Sequence, residues 1–358
     1  MASLALHEFH HGLNARFTEL NSAEVVADYG DWLAEYAALR ETVGMIDLSF
    51  RSRICLTGAD RVRFLHGQVT NDVKKLRTGE GCYSAITTAK GKMESDLNIF
   101  NLQDELLLDF EPNLTENISA RLEKFIVADD VQVVNAAPHY GLLSVQGPKA
   151  EEIIRGLNSF SEIPTKQFGS VKISDATLGE IYLANNSRLD TNGFDLFVPN
   201  NSLGAVADKL IAAAKQIGGR AGGWTAFETA RIEAGIPRFG ADMGETNIPL
   251  ECGIESRAIV YTKGCYLGQE VINRIHSIGH VNRELRGLRL ADDLNILPQR
   301  GDKLFFNGKE AGQVTSAVKS PTLAANIALG YVRREANQIG NELALRTLAG
   351  ESRATILE

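Results

Sequence analysis

The chain has 358 residues, 44% of them hydrophobic and 23% charged, with a formal net charge of -8 at pH 7. That length exceeds what one hydrophobic core usually holds, so two or three domains are expected. The acidic balance argues against a protein that coats nucleic acid, and no uninterrupted apolar run approaches the roughly 20 residues that a bilayer span needs. Cys55, Cys82, Cys252 and Cys265 are widely spaced and contain no C-x-x-C pair, which argues against a disulfide framework and against a zinc site of the usual kind. The N-terminal stretch has no basic start followed by an apolar core, so the expected location is the cytoplasm.

In chain order, residues 24–40 read as a helix that turns Val25, Trp32, Leu33, Tyr36 and Leu39 toward a core and ends near Gly44. Residues 51–56 read as a strand, Gly58 as a break, and 60–69 as a short helix with Val62, Leu65 and Val69 on one face. The stretches 82–88, 97–102 and 105–110 are expected to be antiparallel strands, the first pair joined by a turn at 90–92. Asn113 with Glu116 three residues on resembles a capping box. Behind it, Leu114, Ile118, Leu122, Phe125 and Ile126 make a helical stripe.

The same order recurs from Tyr140. A strand over 142–145 is broken by Gly147 and Pro148, and a helix over 149–157 follows with Ile153 and Ile154 inward. Strands come next over 171–174, 180–184 and 194–198, then a helix carrying Leu203, Val206, Leu210 and Ile211. Pro112–Asn113 in the first half matches Pro199–Asn200 in the second, and the parallel predicts two related α+β units, 1–139 and 140–285. Gly218, Gly219, Gly222 and Gly223 form a joint without the G-x-G-x-x-G spacing of a dinucleotide loop, and 224–233 resumes as a helix. From 286 onward, short alternating stretches (287–290, 303–306, 311–318, 327–332 and 343–346) punctuated by glycines predict a barrel-like β domain over 286–358.

Between the joint and that domain lies Y-T-K-G-C-Y-L-G-Q-E, residues 261–270, with one thiol between two glycines, beside Lys263 and ahead of an amphipathic segment over 269–276. A thiol of pKa about 8.5 is only a few per cent thiolate at neutral pH, and a helix N-terminus with a neighbouring ammonium lowers it by roughly one to several units. Cys265 assisted by Lys263 is thus a candidate reactive group. The same residues also fit a tight turn whose cysteine fills a small apolar space. His276 and His280 stand four apart, but Gly279 interrupts the helix that would align them, so no metal is expected.

Several blocks resemble the folate-binding fold of the glycine-cleavage aminomethyltransferase, or T-protein, superfamily: V-G-M-I-D-L-S at 43–49, F-L-H-G-Q-V-T-N-D-V at 64–73, G-K-M-E-S-D-L at 91–97, R-I-E-A-G-I-P-R-F-G at 231–240 and G-Q-V-T-S at 312–316. The resemblance covers almost the whole chain. K-G-C-Y-L-G-Q-E at 263–270 is similar to the signature of the YgfZ branch of that superfamily. The resemblance implies an α+β fold of two related units and a barrel-like domain around a central channel that binds tetrahydrofolate or a derivative, with Cys265 near the channel mouth. It also implies a role in supporting the assembly or repair of iron-sulphur enzymes, including one that modifies transfer RNA, so that the partners are folate and iron-sulphur clients or assembly factors. Direct binding of nucleic acid or membrane is not expected. Asp195 falls where T-proteins carry a pterin-binding glutamate, Arg231 matches the arginine of the R-x-E-A-G block, and Tyr83 is a candidate channel residue. True aminomethyltransferases carry two adjacent acids where this chain reads Ser95–Asp96, leaving Asp96 either as a general acid/base or as a turn cap. Folate-dependent aminomethyl transfer or a related demethylation is the alternative function.

Overall fold

The computed structural model describes residues 3–157 and 159–357, and the chain divides into two compact units, Met1–Ser84 with Asp96–Ala230, and Ala85–Ser95 with Arg231–Glu358. The first contains two sheets. One has five strands in the order Glu80–Thr87, Met93–Asn101, Leu106–Phe110, Ser52–Thr57, Gln132–Asn135; the distal ends of its first two strands, 85–95, count with the second unit. The other has six, in the order Ser170–Asp175, Gly179–Asn185, Gly193–Pro199, Tyr140–Gln146, Gly44–Asp47, Arg220–Ala221. The first four strands of each sheet are arranged identically: three consecutive strands, then the strand that preceded them in sequence. The tandem order read from the sequence is therefore a tandem topology.

Alternation along the strands explains how the six-stranded sheet is buried on both faces. Leu143, Val145, Leu196 and Val198 enter a core with Ile153, Ile154, Val206 and Leu210 of the helices. Their neighbours Leu142 and Phe197 enter a second core with Phe100, Leu107 and Cys55 of the five-stranded sheet. There Phe100 and Phe197 meet edge to face, their ring centroids 5.6 Å apart.

Three expectations fail locally. Residues 24–40 are not one helix: Ala23–Asp28 is a strand paired with Arg16–Leu20, and the helix is Trp32–Glu41. Gly30, at φ 97°, breaks the run, and Asp31 caps the helix by accepting from the Ala34 N–H at 3.1 Å. Asn113 does not cap the following helix; it sits at φ 63°, and Thr115–Glu123 begins after Leu114 with no side-chain cap. The short helix expected over 60–69 covers only Arg61–His66.

In the second unit, Arg283–Leu290, Lys303–Phe306, Lys309–Ser320, Ala325–Arg333, Glu342–Thr347 and Gly350–Ile356 close into an antiparallel barrel. Leu288, Leu304, Val314, Val332, Leu345 and Ile356 fill it. Gly312 is required where two strands touch, since a Cβ there would lie 1.9 Å from the Tyr331 carbonyl oxygen. The sixth strand, not among those expected, closes the barrel by pairing with both Glu342–Thr347 and Arg283–Leu290. No helix among the described residues is long and apolar enough to cross a membrane.

Candidate functional site

Asp96 lies on the strand Met93–Asn101, half-buried, and the Tyr83 hydroxyl on the neighbouring strand donates to its Oδ2 at 2.9 Å. Two residues along on the same face, Asn98 stands opposite Asp109, which in turn stands opposite Arg53. Asn98 Nδ2 donates to Asp109 Oδ2 at 2.9 Å, and Arg51 binds both Asp109, at 2.8 Å, and Glu111. Arg188 Nη2 then joins Asp109, at 2.8 Å, to Asp195, at 2.6 Å. A continuous ionic network thus runs from the five-stranded to the six-stranded sheet through the core that both bury.

Burial, with Glu111 and Arg51 of this network, sets the protonation of Asp96. Burial and then the Glu111 carboxylate push its carboxyl up to about 6, against the opposing pull of the Tyr83 hydrogen bond and of Arg51. Burial also disfavours the charge on Asp109, but Arg51 and Arg188 outweigh it and hold that carboxyl far below the usual range. The carboxyls of Asp96, Asp109, Glu111 and Asp195 outnumber the guanidiniums of Arg51, Arg53 and Arg188, and Asp96 is raised where Asp109 is lowered. A carboxyl raised to about 6 can both give and take a proton.

Asp195 is placed differently from the expected pterin carboxylate. It is fully buried, Ser144 donates to Oδ1 at 2.7 Å, Asn186 to Oδ2 at 2.8 Å, and Arg188 grips both oxygens, so the donors that a pterin would supply are already present. Arg231, in the second unit, is also committed. It is 2% exposed, pairs with Asp242, and donates to the Ile236 carbonyl at 3.2 Å and to Ser316 Oγ at 3.0 Å. Of the expected residues, the structure brings Tyr83 and Asp96 into contact. Arg51, Asp109, Glu111 and Arg188 were not singled out from the sequence; the one local signal was Arg188 seven residues before Asp195 across a hairpin.

The cysteine motif lies wholly in the second unit. Gly268 stands just before the helix Gln269–Ile278 at φ 91°, where a Cβ would lie 2.5 Å from the Thr88 carbonyl oxygen. Thr87 Oγ1 donates to the Leu267 carbonyl at 2.7 Å, so the hairpin tip 85–95 fixes the turn. Cys265 is exposed, whereas Lys263 is buried with its ammonium 4.8 Å from the centre of the Tyr266 ring. Cys265 therefore does not fill an apolar space; it is presented to solvent from a rigid turn. His276, on the helix that follows, pairs with Glu255 at 2.8 Å and stacks on Tyr261. Among the described residues no group of three His, Cys, Asp or Glu side chains is arranged to hold a metal.

Family models match nearly the entire chain, the GCVT N-terminal domain over residues 6–262 and the glycine cleavage T-protein C-terminal barrel domain over 283–358. The chain belongs to the glycine cleavage T-protein family. This T-protein-family chain is similar to the aminomethyltransferase of Thermoanaerobacter pseudethanolicus, 28% identical over 332 residues covering 89% of this chain and 88% of the relative. It is similar also to that of Lysinibacillus sphaericus, 27% identical over 346 residues covering 96% and 93%. The crystal structure of the glycine cleavage system aminomethyltransferase T from Bartonella henselae shares its fold, with a TM-score of 0.89 at 22% identity over 99% of this chain and 96% of that one.

Proposed function

We propose that the chain is a tetrahydrofolate-dependent one-carbon protein whose working group is the Tyr83–Asp96 pair, and that it catalyses aminomethyl transfer or a related demethylation. The observation that carries this reading is the half-buried Asp96 carboxyl, bonded to Tyr83 and held near neutrality by its surroundings. Full-length similarity to proteins named aminomethyltransferase favours transfer over an accessory role. Tetrahydrofolate is the cofactor on which this family depends, and when bound it supplies the nitrogen that takes up the one-carbon unit. Asp96 fits such a partner, because a carboxyl with a pKa of about 6 exchanges a proton with a weakly basic amine at little cost. Tyr83 orients that carboxyl through Oδ2. Asp195 and Arg231 are left out of the proposed folate contacts, since their hydrogen-bonding groups are taken by protein partners. The segments 1–139, 140–285 and 286–358 remain our proposed evolutionary units, and the cytoplasm our proposed location.

Supplying tetrahydrofolate and a lipoyl carrier loaded with aminomethyl tests the transfer. Steady methylene-tetrahydrofolate formation that falls by roughly 10²-fold or more in Asp96→Asn supports it; no formation at all removes it.

The exposed thiol favours a second reading. Cys265 in K-G-C-Y-L-G-Q-E, held outward by the Gly268 turn, suits the YgfZ-type role of a folate-binding accessory to iron-sulphur enzymes, including tRNA-modifying ones, with Lys263 assisting the thiol. Cys265→Ala should then abolish rescue of an iron-sulphur-deficient strain while leaving folate binding intact. Undiminished rescue would discard this role.

A further inference from the structure

The second unit contains a cavity of about 890 Å³ that neither the Asp96 pair nor the cysteine turn uses. It opens on the outer face of the barrel. Val332 and Ala328 point inward to the barrel core, so Tyr331 and Arg333, which alternate with them, face outward into the cavity. Arg283 stands directly opposite Arg333 on the neighbouring strand, and Arg334 follows at once in the chain. Like charges facing each other across an antiparallel pair repel, so this arrangement calls for an anion.

The protein's own acids meet that demand only at Arg283. Glu251 pairs with Arg283 at 3.3 Å, and Glu310 is engaged by Lys303 at 3.2 Å. Arg333 and Arg334 are exposed and have no carboxylate partner among the described residues. Arg283 is fixed by packing over the Tyr331 ring at 4.9 Å, and Tyr331 is fixed by its hydroxyl beside Cys252 Sγ at 3.2 Å. One guanidinium is thus held rigidly and two remain available, with Glu335 and the Gln313 side chain also lining the space.

We propose that this cavity is a binding site for a small carboxylate-bearing ligand that also carries a cationic or hydrogen-bond donor group, an acidic dipeptide by chemical class. Planar guanidinium forks at Arg333 and Arg334 match carboxylates in bidentate fashion, whereas Glu335 repels a ligand that is only an anion and receives one with an ammonium. The volume lies within the range of small-molecule pockets, ample for such a ligand. This assignment is independent of the folate reading.

Calorimetric titration of the full chain at low salt with glutamyl-glutamate, citrate and inorganic pyrophosphate tests it. The expected result is saturable binding of glutamyl-glutamate, weaker binding of the two amine-free anions, and a loss of about tenfold or more in affinity in the double variant Arg333→Ala/Arg334→Ala. Both residues are exposed, so the variant should unfold at the same urea concentration as the parent. Absence of saturable glutamyl-glutamate binding, equal binding by the variant, or equally tight binding of citrate and pyrophosphate would each overturn the proposal.

Discussion

Replacing Asp96 by Asn should make the first unit more stable at neutral pH while removing the proposed function. The native carboxyl is raised from 3.8 to about 6, first by burial and then by Glu111. Below pH 3.8 the acid is protonated whether the chain is folded or not, and it exerts no penalty. As pH rises toward 6 the unfolded chain ionises first, so the folded state loses about 1.4 kcal/mol per pH unit, and above 6 the full penalty of roughly 3 kcal/mol persists. Asn cannot ionise, so the stability gap between variant and parent should open between pH 4 and 6 and stay level above that. Both tryptophans, Trp32 and Trp224, belong to the first unit, so urea unfolding followed by their fluorescence reads the unit that contains Asp96. A gap that does not change with pH, or a variant less stable than the parent at pH 7, would refute the reasoning.

Other perturbations separate the structural network from the exposed motif. Arg188→Met leaves Asp109 and Asp195 buried without their shared guanidinium and should cost about 3–5 kcal/mol in the same urea assay; a loss under about 1 kcal/mol would deny the network its structural role. Because Asp109 is held below its ordinary range, its contribution is present above the unfolded carboxyl pKa and lost as pH falls through the native one, so this variant should also show a flatter acid limb. Gly268→Ala places a Cβ 2.5 Å from the Thr88 carbonyl at φ 91° and should destabilise the second unit by roughly 1–3 kcal/mol, read as faster alkylation of buried Cys252. Unchanged alkylation would mean that the turn adapts. Cys265→Ala should leave urea unfolding within about 0.5 kcal/mol of the parent and remove the fastest-labelled thiol of the native protein; a fast thiol that survives would belong to another cysteine.

The sequence showed the larger plan because the plan is written twice. Strand, break, helix, three strands and helix recur in the same order, and local periodicity suffices to read each step. It did not show that Gly44–Asp47 leaves the first half to pair with Tyr140–Gln146 in the second, a contact set by partners a hundred residues away in sequence. Residues 24–40 misled because Val25 and Val26 fit a strand as well as a helix, and only Gly30 and Asp31 mark the change. The site was half legible. Asp96 and Cys265 carry family patterns in their neighbours, but the residues that tune Asp96, Arg51, Tyr83 and Glu111, come from three separate stretches and converge only when the five-stranded sheet forms. Asp195 and Arg231 illustrate the limit of motif transfer: Arg231 matches its block and Asp195 stands as an acid in place of a glutamate, yet in this chain each is enclosed by partners that satisfy it.

The central claim is that the Tyr83–Asp96 pair belongs to a folate site. Calorimetric titration of the parent and of Asp96→Asn with tetrahydrofolate tests it most directly. The account predicts saturable heat with the parent and an affinity about tenfold or more lower for the variant, as expected for loss of a charge-assisted hydrogen bond. No saturable heat with the parent, or equal affinity in the two proteins, would contradict it.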